Sequence, residues 1–439
     1  MKETAESMEG GFNMKKLEEE IRSVLEKALG ENCRFPEAEW FLYELAWFFS
    51  EEHLKTARPR LIVLGEDFPQ ELALAFCPDC WFILGGSTQT THWSDSLLPR
   101  DADPVSRSAC GWLLNQEFHL AEKALVVMML SSDNRKKLAG LFRRKGIKVE
   151  AADMPPQFQS AASQKAWTEE ILRIAGQIQA HTGMKLTTQR LKAAIKEKAV
   201  IREAVSDFKT AVWENPSCMS PALRDIILES VWYTEDKKAW VSHLRALTRQ
   251  IRSSSSLPME EARCPWILLA GSPVIFPNEK LPLLLEASGL FPADRADAVM
   301  LQFYTSGSAM ADRVEDLVSE TAAKRLPWEV SGAWTNNNGL LKAIENRLER
   351  LPIDGIVYHV LKGQIEYDFE LPKIERLASL YHIPLIRLET DYQQQDVEQL
   401  RIRLEAFSEM LRQAKQGSTP RKEPEILPKP APERKRFEQ

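Results

Sequence analysis

The sequence has no long apolar run, no excess of basic residues and few cysteines. No apolar stretch reaches the roughly 18 residues that a transmembrane helix needs, so we predict no membrane span. The 57 basic side chains are outnumbered by 63 acidic ones, which argues against a nucleic-acid-binding protein. The polar, acidic N-terminal stretch lacks the apolar core of a secretory signal. We therefore expect a folded cytoplasmic protein.

The six cysteines are scattered along the chain, and only Cys77 and Cys80 form a close pair. A CxxC pair can bind a metal or carry out a redox reaction, but metal sites usually contain a second matching pair, and none is present. The pair lies in an apolar stretch, and cysteines outside disulfides are among the residues most often buried. A buried, inert pair is therefore the favoured interpretation, with metal or redox chemistry as the alternative.

The length of 439 residues exceeds what one ordinary hydrophobic core supports, and the sequence pattern changes four times along the chain. A proline- and charge-rich tail that cannot bury apolar surface is predicted to be disordered. The predicted regions are an N-terminal helical segment (1–58), a first α/β lobe (59–160), a helical connector (161–258), a second α/β lobe (259–415) and the disordered tail (416–439).

Both predicted lobes contain short apolar runs that end in Gly, Ser or Asp and are separated by helical stretches. This alternation is typical of a buried parallel sheet. The fold class is therefore predicted to be α/β, with two parallel-sheet lobes joined by helices. The predicted strands are 60–65, 80–86, 124–130 and 147–153 in the first lobe, and 265–272, 297–303, 355–361 and 383–389 in the second.

Four segments, in order along both lobes, carry a family resemblance. They are LPRDADPVSRSACGWL (98–113), SSDNRKKLAGLFRRKGIKVEAADMPP (131–156), LLAGSPVIFPNEKLPLLLEASG (268–289) and the stretch 357–411, which begins VYHVLKGQIEYDFELPK. Together these segments resemble the family of 2-hydroxyacyl-CoA dehydratases and benzoyl-CoA reductases. The third segment also resembles the opening of the first lobe, which fits two similar units.

The resemblance implies a subunit with two flavodoxin- or Rossmann-like lobes that pairs with a related subunit. It implies a 4Fe-4S cluster, held between the lobes by three cysteines, beside the thioester of an acyl-CoA substrate. A separate ATP-hydrolysing iron–sulfur activator delivers an electron to such a cluster. The product of that chemistry is either a dehydrated or a reduced acyl group, so the complex would be a lyase or an oxidoreductase.

The three places where the family carries its cluster cysteines hold other residues in this chain. They read Ala102-Asp103-Pro104, Ser131-Ser132-Asp133 and Gly363-Gln364-Ile365. Ser and Gln are poor iron ligands, whereas the cluster requires thiolates. We therefore expect no cofactor to be bound by this chain, with the 4Fe-4S clusters on a homologous sister subunit and on the activator.

Three hypotheses about function follow from this departure. The first is a partner subunit that lends an interface and part of the acyl-CoA cleft to a cluster-bearing sister chain in a heterodimer. The second is a competent subunit with a relocated cluster, for which Cys77, Cys80 and Cys110 are the fallback ligands. The third is a non-enzymatic binding or scaffold protein that kept the two-lobed fold.

Small and polar residues follow the predicted strands, at the sheet edge where ligands bind in open α/β folds. Glycines there allow backbone N–H groups to approach a ligand closely. Ordinary βα turns are the alternative, because Gly and Ser are common in them; the family resemblance favours a cleft. The predicted substrate-cleft residues are Gly85, Gly86, Ser87, Arg107, Ser131, Ser132, Gly271, Ser272, Gly363 and Gln364.

His359 and Lys362 are the candidate catalytic residues. His359 lies on a predicted strand and Lys362 in the turn that follows it, a spacing compatible with acid/base or substrate-orienting chemistry. A hydrogen-bonded core histidine is the alternative for His359. Arg107 is predicted either to contact a CoA phosphate or to form a structural salt bridge.

Overall fold

A computed structural model gives the conformation of most of the chain. Cys33 and residues 417–439 of the predicted tail lie outside the described residues. Among the residues that are described, no helix combines the length and the apolar character that crossing a membrane requires. The described residues are 14–30, 35–77, 80–99, 101–115, 117–154, 160–254, 264–303, 310–325 and 338–416.

The first lobe is built on a four-stranded parallel sheet whose strand order is β2-β1-β3-β4. All four predicted apolar runs of this lobe form its strands, so that part of the prediction is confirmed. The two central strands are buried along their whole length because helices cover both faces of the sheet. The strands are β1 (Leu61–Leu64), β2 (Trp81–Ile83), β3 (Leu125–Met129) and β4 (Val149–Ala152).

Helices pack around this first sheet and at its N-terminal side. Ser50 separates the second and third helices, because its side chain accepts a hydrogen bond from the backbone N–H of His53 and caps a new helix. The helices are α1 (Met14–Leu29), α2 (Pro36–Phe48), α3 (Glu51–Thr56), α4 (Gln70–Phe76), α5 (Thr88–Trp93), α6 (Pro104–Leu114) and α7 (Asp133–Arg144).

The connector between the lobes is helical, as predicted. Its two longest helices have side-chain N-caps, from Ser160 and Thr187, and the first ends at Gly183 in a left-handed conformation. The connector helices are α8 (Ala161–Thr182), α9 (Thr188–Glu214), α10 (Pro221–Glu229) and α11 (Lys237–Ser253).

The second lobe repeats the first, with a parallel sheet in the order β6-β5-β7-β8. Three of its four predicted strands are confirmed. The strands are β5 (Trp266–Gly271), β6 (Phe291–Ala296), β7 (Gly355–Leu361) and β8 (Leu385–Thr390), and the helices are α12 (Lys280–Ala287), α13 (Ala298–Leu301), α14 (Val314–Arg325), α15 (Asn338–Arg350), α16 (Glu366–Leu380) and α17 (Val397–Gln416).

The strand predicted at 297–303 is wrong, because that apolar run forms the short helix α13. Asp297 starts this helix by accepting hydrogen bonds from the backbone N–H groups of Val299 and Met300. The strand β6 lies just before it, in a stretch that contains Pro292, Asp294 and Arg295. Asp294 and Arg295 interrupt the apolar pattern by which a strand is predicted, and they are tolerated there because they form buried ion pairs.

The two lobes share hydrophobic packing. The largest core cluster includes the first sheet, the N-terminal helices and the connector, and it extends into the second lobe. In these strand orders the topological switch point lies between β1 and β3 in the first sheet and between β5 and β7 in the second. Ligands of open α/β sheets bind at the carboxyl ends of the strands beside this point. The second-lobe members of the shared core are Ile275, Phe276, Val299, Met300, Phe303, Leu317, Val318, Ala322, Leu361 and Tyr392.

Candidate functional site

The carboxyl edges of the two sheets meet at a narrow polar cavity, which we call the inter-lobe cleft. Its volume is about 30 Å³, enough for about one to three water molecules. Both lobes contribute to its walls at their topological switch points. The lining residues are Glu66, Asp67, Asp103, Val105, Ser106, Ser131, Ser132 and Arg135 from the first lobe, and Pro273, Gln364, Glu366 and Tyr367 from the second.

The structure brings together the three segments in which the family resemblance places cluster ligands. Asp103, Ser131, Ser132 and Gln364 all line the inter-lobe cleft. A Cβ atom built on Gly363 would lie only 2.8 Å from the carbonyl oxygen of Asp101 and 2.9 Å from the backbone nitrogen of Asp103. Residues more than 200 positions apart in sequence therefore meet at one point.

The donor groups at this point do not fit a 4Fe-4S cluster, which needs thiolates. The described lining residues offer carboxylates, hydroxyls, one guanidinium and one amide, and no cysteine is among them. Asp103 and Ser132 are already engaged as helix N-caps, accepting hydrogen bonds from the backbone N–H groups of Ser106 and Arg135. The buried Oε1 atom of Gln364 has no hydrogen-bond partner in the described parts of the chain.

Arg135 is the only cation among the described lining residues of the cleft. Its guanidinium donates to the carbonyl oxygen of Leu64 at 3.0 Å and lies 3.4 Å from the Glu66 carboxylate and 3.9 Å from that of Asp67. Burial acts to lower the pKa of Arg135, but the carboxylates of Asp67 and Glu66 outweigh burial and raise it. Gly65 leaves room for this side chain, since a Cβ there would lie 2.0 Å from the guanidinium.

Glu366 adds a further carboxyl group to the cleft, and its environment favours the protonated form. Burial raises the pKa of Glu366 to about 7, and the nearby negative charge of Asp103 adds to the effect. The cleft is therefore acidic, and its negative charge grows between mildly acidic and neutral pH.

Replacing Glu366 by glutamine is expected to stabilise the protein at pH 8 and not at pH 5. The unfolded chain loses this proton near the ordinary value of 4.5, whereas the folded protein keeps it until about pH 7. Between these values the folded state binds more protons, so rising pH removes stability in the parent protein. Since Glu366 is partly exposed, we expect about 1 kcal/mol from urea denaturation at pH 8. Glu375→Gln, on the exposed side of the same helix, is the control; equal effects of both variants would contradict the assignment.

The glycines predicted to approach a ligand at the end of β2 approach the protein itself. Gly86 has a positive φ of 97°, and a Cβ there would lie 2.4 Å from the carbonyl oxygen of Phe276 in the second lobe. Gly85 faces Val105 of α6 in the same way, at 3.2 Å. Ser87 caps α5 and donates to the carboxylate of Glu20 at 2.7 Å. These three residues, which were predicted to contact a ligand, contact other parts of the protein.

Gly271 and Ser272 likewise join their strand to its neighbour. A Cβ on Gly271 would lie 2.2 Å from the carbonyl oxygen of His359, and the backbone N–H of Ser272 donates to that oxygen at 2.8 Å. The ring of His359 is buried, with Nδ1 3.1 Å from the carbonyl oxygen of Ser272 and Nε2 2.7 Å from the hydroxyl of Thr390. Burial lowers the pKa of His359 to about 3, so the ring is neutral. This geometry agrees with the core-histidine alternative, and a catalytic role of His359 stays a prediction.

The two remaining predicted cationic residues, Lys362 and Arg107, differ in burial. Lys362 is exposed in the turn after β7, where its backbone N–H donates to the carbonyl oxygen of Thr390 at 2.9 Å. Arg107 is buried in α6 and forms an ion pair with Asp95 in the same lobe. Its position agrees with the structural salt bridge that we considered beside phosphate binding.

The fallback cysteines lie inside the first lobe. Cys77 and Cys110 are buried, and burial raises the pKa of the Cys110 thiol to about 12. A thiol in such surroundings disfavours the thiolate that iron requires. Within the described residues, no group of three or more His, Cys, Asp or Glu side chains is placed to hold a metal ion. The relocated cluster therefore gains no support from these positions.

The charged residues of the inter-lobe cleft were not predicted from the sequence. Glu66 and Asp67 directly follow β1, and Arg135 lies in the first turn of α7, just after the predicted Ser131 and Ser132. The rule that ligand-binding groups follow parallel strands applies equally to these residues. The charges of Glu66, Asp67 and Arg135 could have identified them in the sequence, because residues that follow adjacent strands lie close together.

Comparison with known proteins identifies the family of this chain. The sequence profile of the 2-hydroxyglutaryl-CoA dehydratase D-component matches residues 67–411, which is more than half of the chain. YjiM of Escherichia coli (strain K12), a protein named as a dehydratase subunit, is 27% identical over 350 residues, covering 78% of this chain and 89% of YjiM. The (R)-phenyllactyl-CoA dehydratase beta subunit of Clostridium sporogenes is 25% identical over 235 residues, covering 54% of this chain and 60% of that protein. The chain therefore belongs to the 2-hydroxyglutaryl-CoA dehydratase D-component family.

Proposed function

We propose that this chain is a cluster-free subunit of an acyl-CoA dehydratase or reductase complex. A homologous sister subunit carries the 4Fe-4S cluster, and an ATP-hydrolysing iron–sulfur activator supplies its electron. The family membership of the chain supports this proposal, as does the naming of one relative as a beta subunit.

The contents of the inter-lobe cleft carry the proposal. Where the three ligand segments of the family meet, this chain presents Asp103, Ser131 and Gln364, with the Arg135 guanidinium among carboxylates beside them. An iron–sulfur cluster would need thiolates in place of these groups. The chain therefore depends on its sister subunit for the electron-transfer chemistry.

The small size and the negative charge of the cleft support an acyl-CoA site that lies mainly on the sister subunit. A cavity of about 30 Å³ is far smaller than the 300–1,000 Å³ (roughly) of a typical small-molecule site. Its carboxylates, those of Glu66, Asp67 and Asp103, also repel the phosphates of CoA. In this proposal the chain contributes the subunit interface and one wall of the substrate cleft, and the sister subunit forms the rest of that cleft.

An exposed apolar pair beside the cleft supports a docking surface for the sister subunit. Ile365 and Phe369 lie one helical turn apart at the start of α16, and 66% and 74% of their surfaces are exposed. They adjoin Gln364 and Tyr367, which line the cleft. Large apolar side chains that cluster on a surface mark protein interfaces, and the position of this pair beside the cleft supports a subunit contact there.

Anaerobic expression, alone and together with a cysteine-complete homologue from the same genome, tests the proposal. We expect the chain alone to contain no stoichiometric iron or acid-labile sulfide, and the co-purified complex to contain iron held by the sister subunit. A four-iron centre bound to the chain alone would overturn the proposal. An iron-free homodimer that binds neither a sister chain nor an acyl-CoA would favour the scaffold alternative.

A variant pair tests the docking surface in the same experiment. Phe369→Glu is expected to abolish co-purification of the sister subunit, because it places a charge in the apolar contact. Leu380→Glu is the matched control, since Leu380 lies at the other end of α16 and is 76% exposed. Retention of the sister subunit by Phe369→Glu would contradict this placement of the interface.

A further inference from the structure

A second cavity, separate from the inter-lobe cleft, lies where the first lobe, the connector and the second lobe meet. Its volume is about 40 Å³, and it is enclosed by α4, β2, α9, the start of α11, the turn after α10 and the end of α13. Apolar side chains form much of its wall, including Leu74, Phe82 and Ile201. This cavity has room for a group of a few non-hydrogen atoms.

Among the residues that the structure describes, two buried hydrogen-bond donors lining the cavity find no acceptor. The indole Nε1 of Trp232 lacks a partner, although only 6% of the residue surface is exposed. The side-chain amide Nε2 of Gln70 is also buried without a partner. The ring of Trp232 is held edge-on against Phe82, with 5.3 Å between the ring centroids. Since buried donors are nearly always satisfied in proteins, these two N–H groups indicate a missing acceptor.

The charge of the cavity is positive. Lys198, Arg202 and Lys237 line it, and no described acidic residue does. Lys198 forms an ion pair with Glu71 behind the wall, at 3.3 Å. Lys237 donates to two neutral acceptors, the carbonyl oxygens of Val231 and Thr234, and within the described part of the chain it makes no ion pair. Burial lowers the pKa of Lys237 to about 8, and it outweighs the opposing charges of Cys80, Glu197 and Glu235.

We propose that this cavity binds a short-chain carboxylate anion, whose oxygens accept hydrogen bonds from Gln70 and Trp232 and whose charge compensates Lys237. The apolar wall selects this class of anion. A short alkyl group can contact Leu74 and Phe82, whereas a phosphate or sulfate would turn strongly hydrated oxygens towards them. A water molecule could satisfy the donors but would leave the cationic cavity uncompensated. This site is independent of the function proposed above.

The full-length protein with sodium acetate as the probe tests this inference at neutral pH. We expect saturation transfer from the protein to the acetate methyl protons, and a rise in the unfolding temperature relative to sodium chloride at equal ionic strength. Absence of both effects would overturn the proposal and leave ordered water as the occupant. Equal competition by phosphate or sulfate would overturn the assignment to carboxylates.

Variants separate this cavity from general anion effects. Trp232→Phe keeps the ring and removes the N–H group, so acetate affinity should fall about tenfold or more. Trp167→Phe is the matched control, because the indole N–H of Trp167 is also buried without a partner but lies on α8, outside the cavity. Gln70→Leu provides a second test, and circular dichroism verifies folding of each variant. Unchanged acetate affinity in Trp232→Phe or in Gln70→Leu would contradict the proposed site.

Discussion

Replacement of Arg295 by methionine is expected to lower the free energy of unfolding by about 3–5 kcal/mol. The Arg295 guanidinium is fully buried in strand β6. It lies 2.6 Å from the carboxylate of Glu229 and 2.7 Å from that of Asp297, and it donates to the carbonyl oxygen of Val274 at 2.5 Å. Removing the cation would leave buried carboxylates without a counter-charge, which is far more destabilising than losing an exposed ion pair.

The surroundings of Arg295 strengthen this expectation. Glu279 is buried near the same network, and neither of its carboxylate oxygens has a hydrogen-bond partner among the residues described. Burial raises the pKa of Glu279, whereas Arg295 acts to lower it. Without Arg295, the carboxylates of Glu229 and Asp297 would lose the cation that pairs with them, and Glu279 would shift further towards its protonated form.

Urea denaturation followed by circular dichroism measures the effect. Arg401→Met is the matched control, because Arg401 also pairs with two carboxylates, those of Glu398 and Glu405, but on the exposed surface of α17. We expect almost no change in the urea midpoint for this control, because water and salt screen exposed ion pairs. Similar changes in the two variants would show that the buried network contributes little to stability.

Gly86→Ala is expected to destabilise the protein by about 2–4 kcal/mol, through backbone strain and steric overlap. Gly86 adopts a φ of 97°, which L side chains rarely adopt. A Cβ there would also lie 2.4 Å from the carbonyl oxygen of Phe276 and 2.6 Å from that of Ile275. Both oxygens belong to the backbone of the second lobe, so the overlap cannot be relieved by a side-chain rotation. The lobes would have to move apart.

Gly183→Ala separates the two causes. Gly183 has a φ of 71° at the end of α8, and nothing lies within 4 Å of a Cβ built there. It therefore reports the backbone strain alone, about 1–2 kcal/mol. The measurement is again the urea midpoint, supplemented by limited proteolysis between the lobes. A cost at Gly86 no larger than that at Gly183 would mean that close packing of the lobes there is unimportant.

Both predictions concern the loop that joins β5 to α12. Arg295 binds the carbonyl oxygen of Val274, and the backbone N–H of Phe276 donates to Glu229 at 2.8 Å. The next contact along this loop is the approach of Phe276 to Gly86. A buried ionic network between the connector and the second lobe thus holds the backbone that contacts the first lobe, and both features position the inter-lobe cleft.

Several elements of the fold were predictable because they depend on local sequence. β1, β3 and β7 are continuous apolar runs that only a doubly covered parallel strand buries completely. β6 was missed because Asp294 and Arg295 interrupt its apolar pattern, and the partners that make them acceptable are distant in sequence. Lys209 pairs with Asp294 from 85 residues away, and Glu229 pairs with Arg295 from 66 residues away.

The candidate site was predictable in part for the same reason. Ser131, Ser132 and Gln364 were found by the rule that ligands bind beyond the carboxyl ends of parallel strands, and they line the cleft. The same rule placed Gly86 and Gly271 there, but these glycines accommodate carbonyl oxygens of the protein itself. A glycine that permits close approach is visible in sequence, whereas the group that approaches it is not.

The sequence by itself determined the two-lobed α/β fold, the helical connector and the absence of cysteine from the three ligand segments. The fold and the connector follow from periodicity over a few residues, which acts before distant parts of the chain meet, whereas the ligand segments follow from the resemblance to a known family. The tertiary structure alone decided that Arg135 lies among Glu66 and Asp67 where those segments converge. It also decided that His359 is enclosed by Ser272 and Thr390. Such contacts depend on how two sheets pack, because burial and counter-charge are set by neighbours in space.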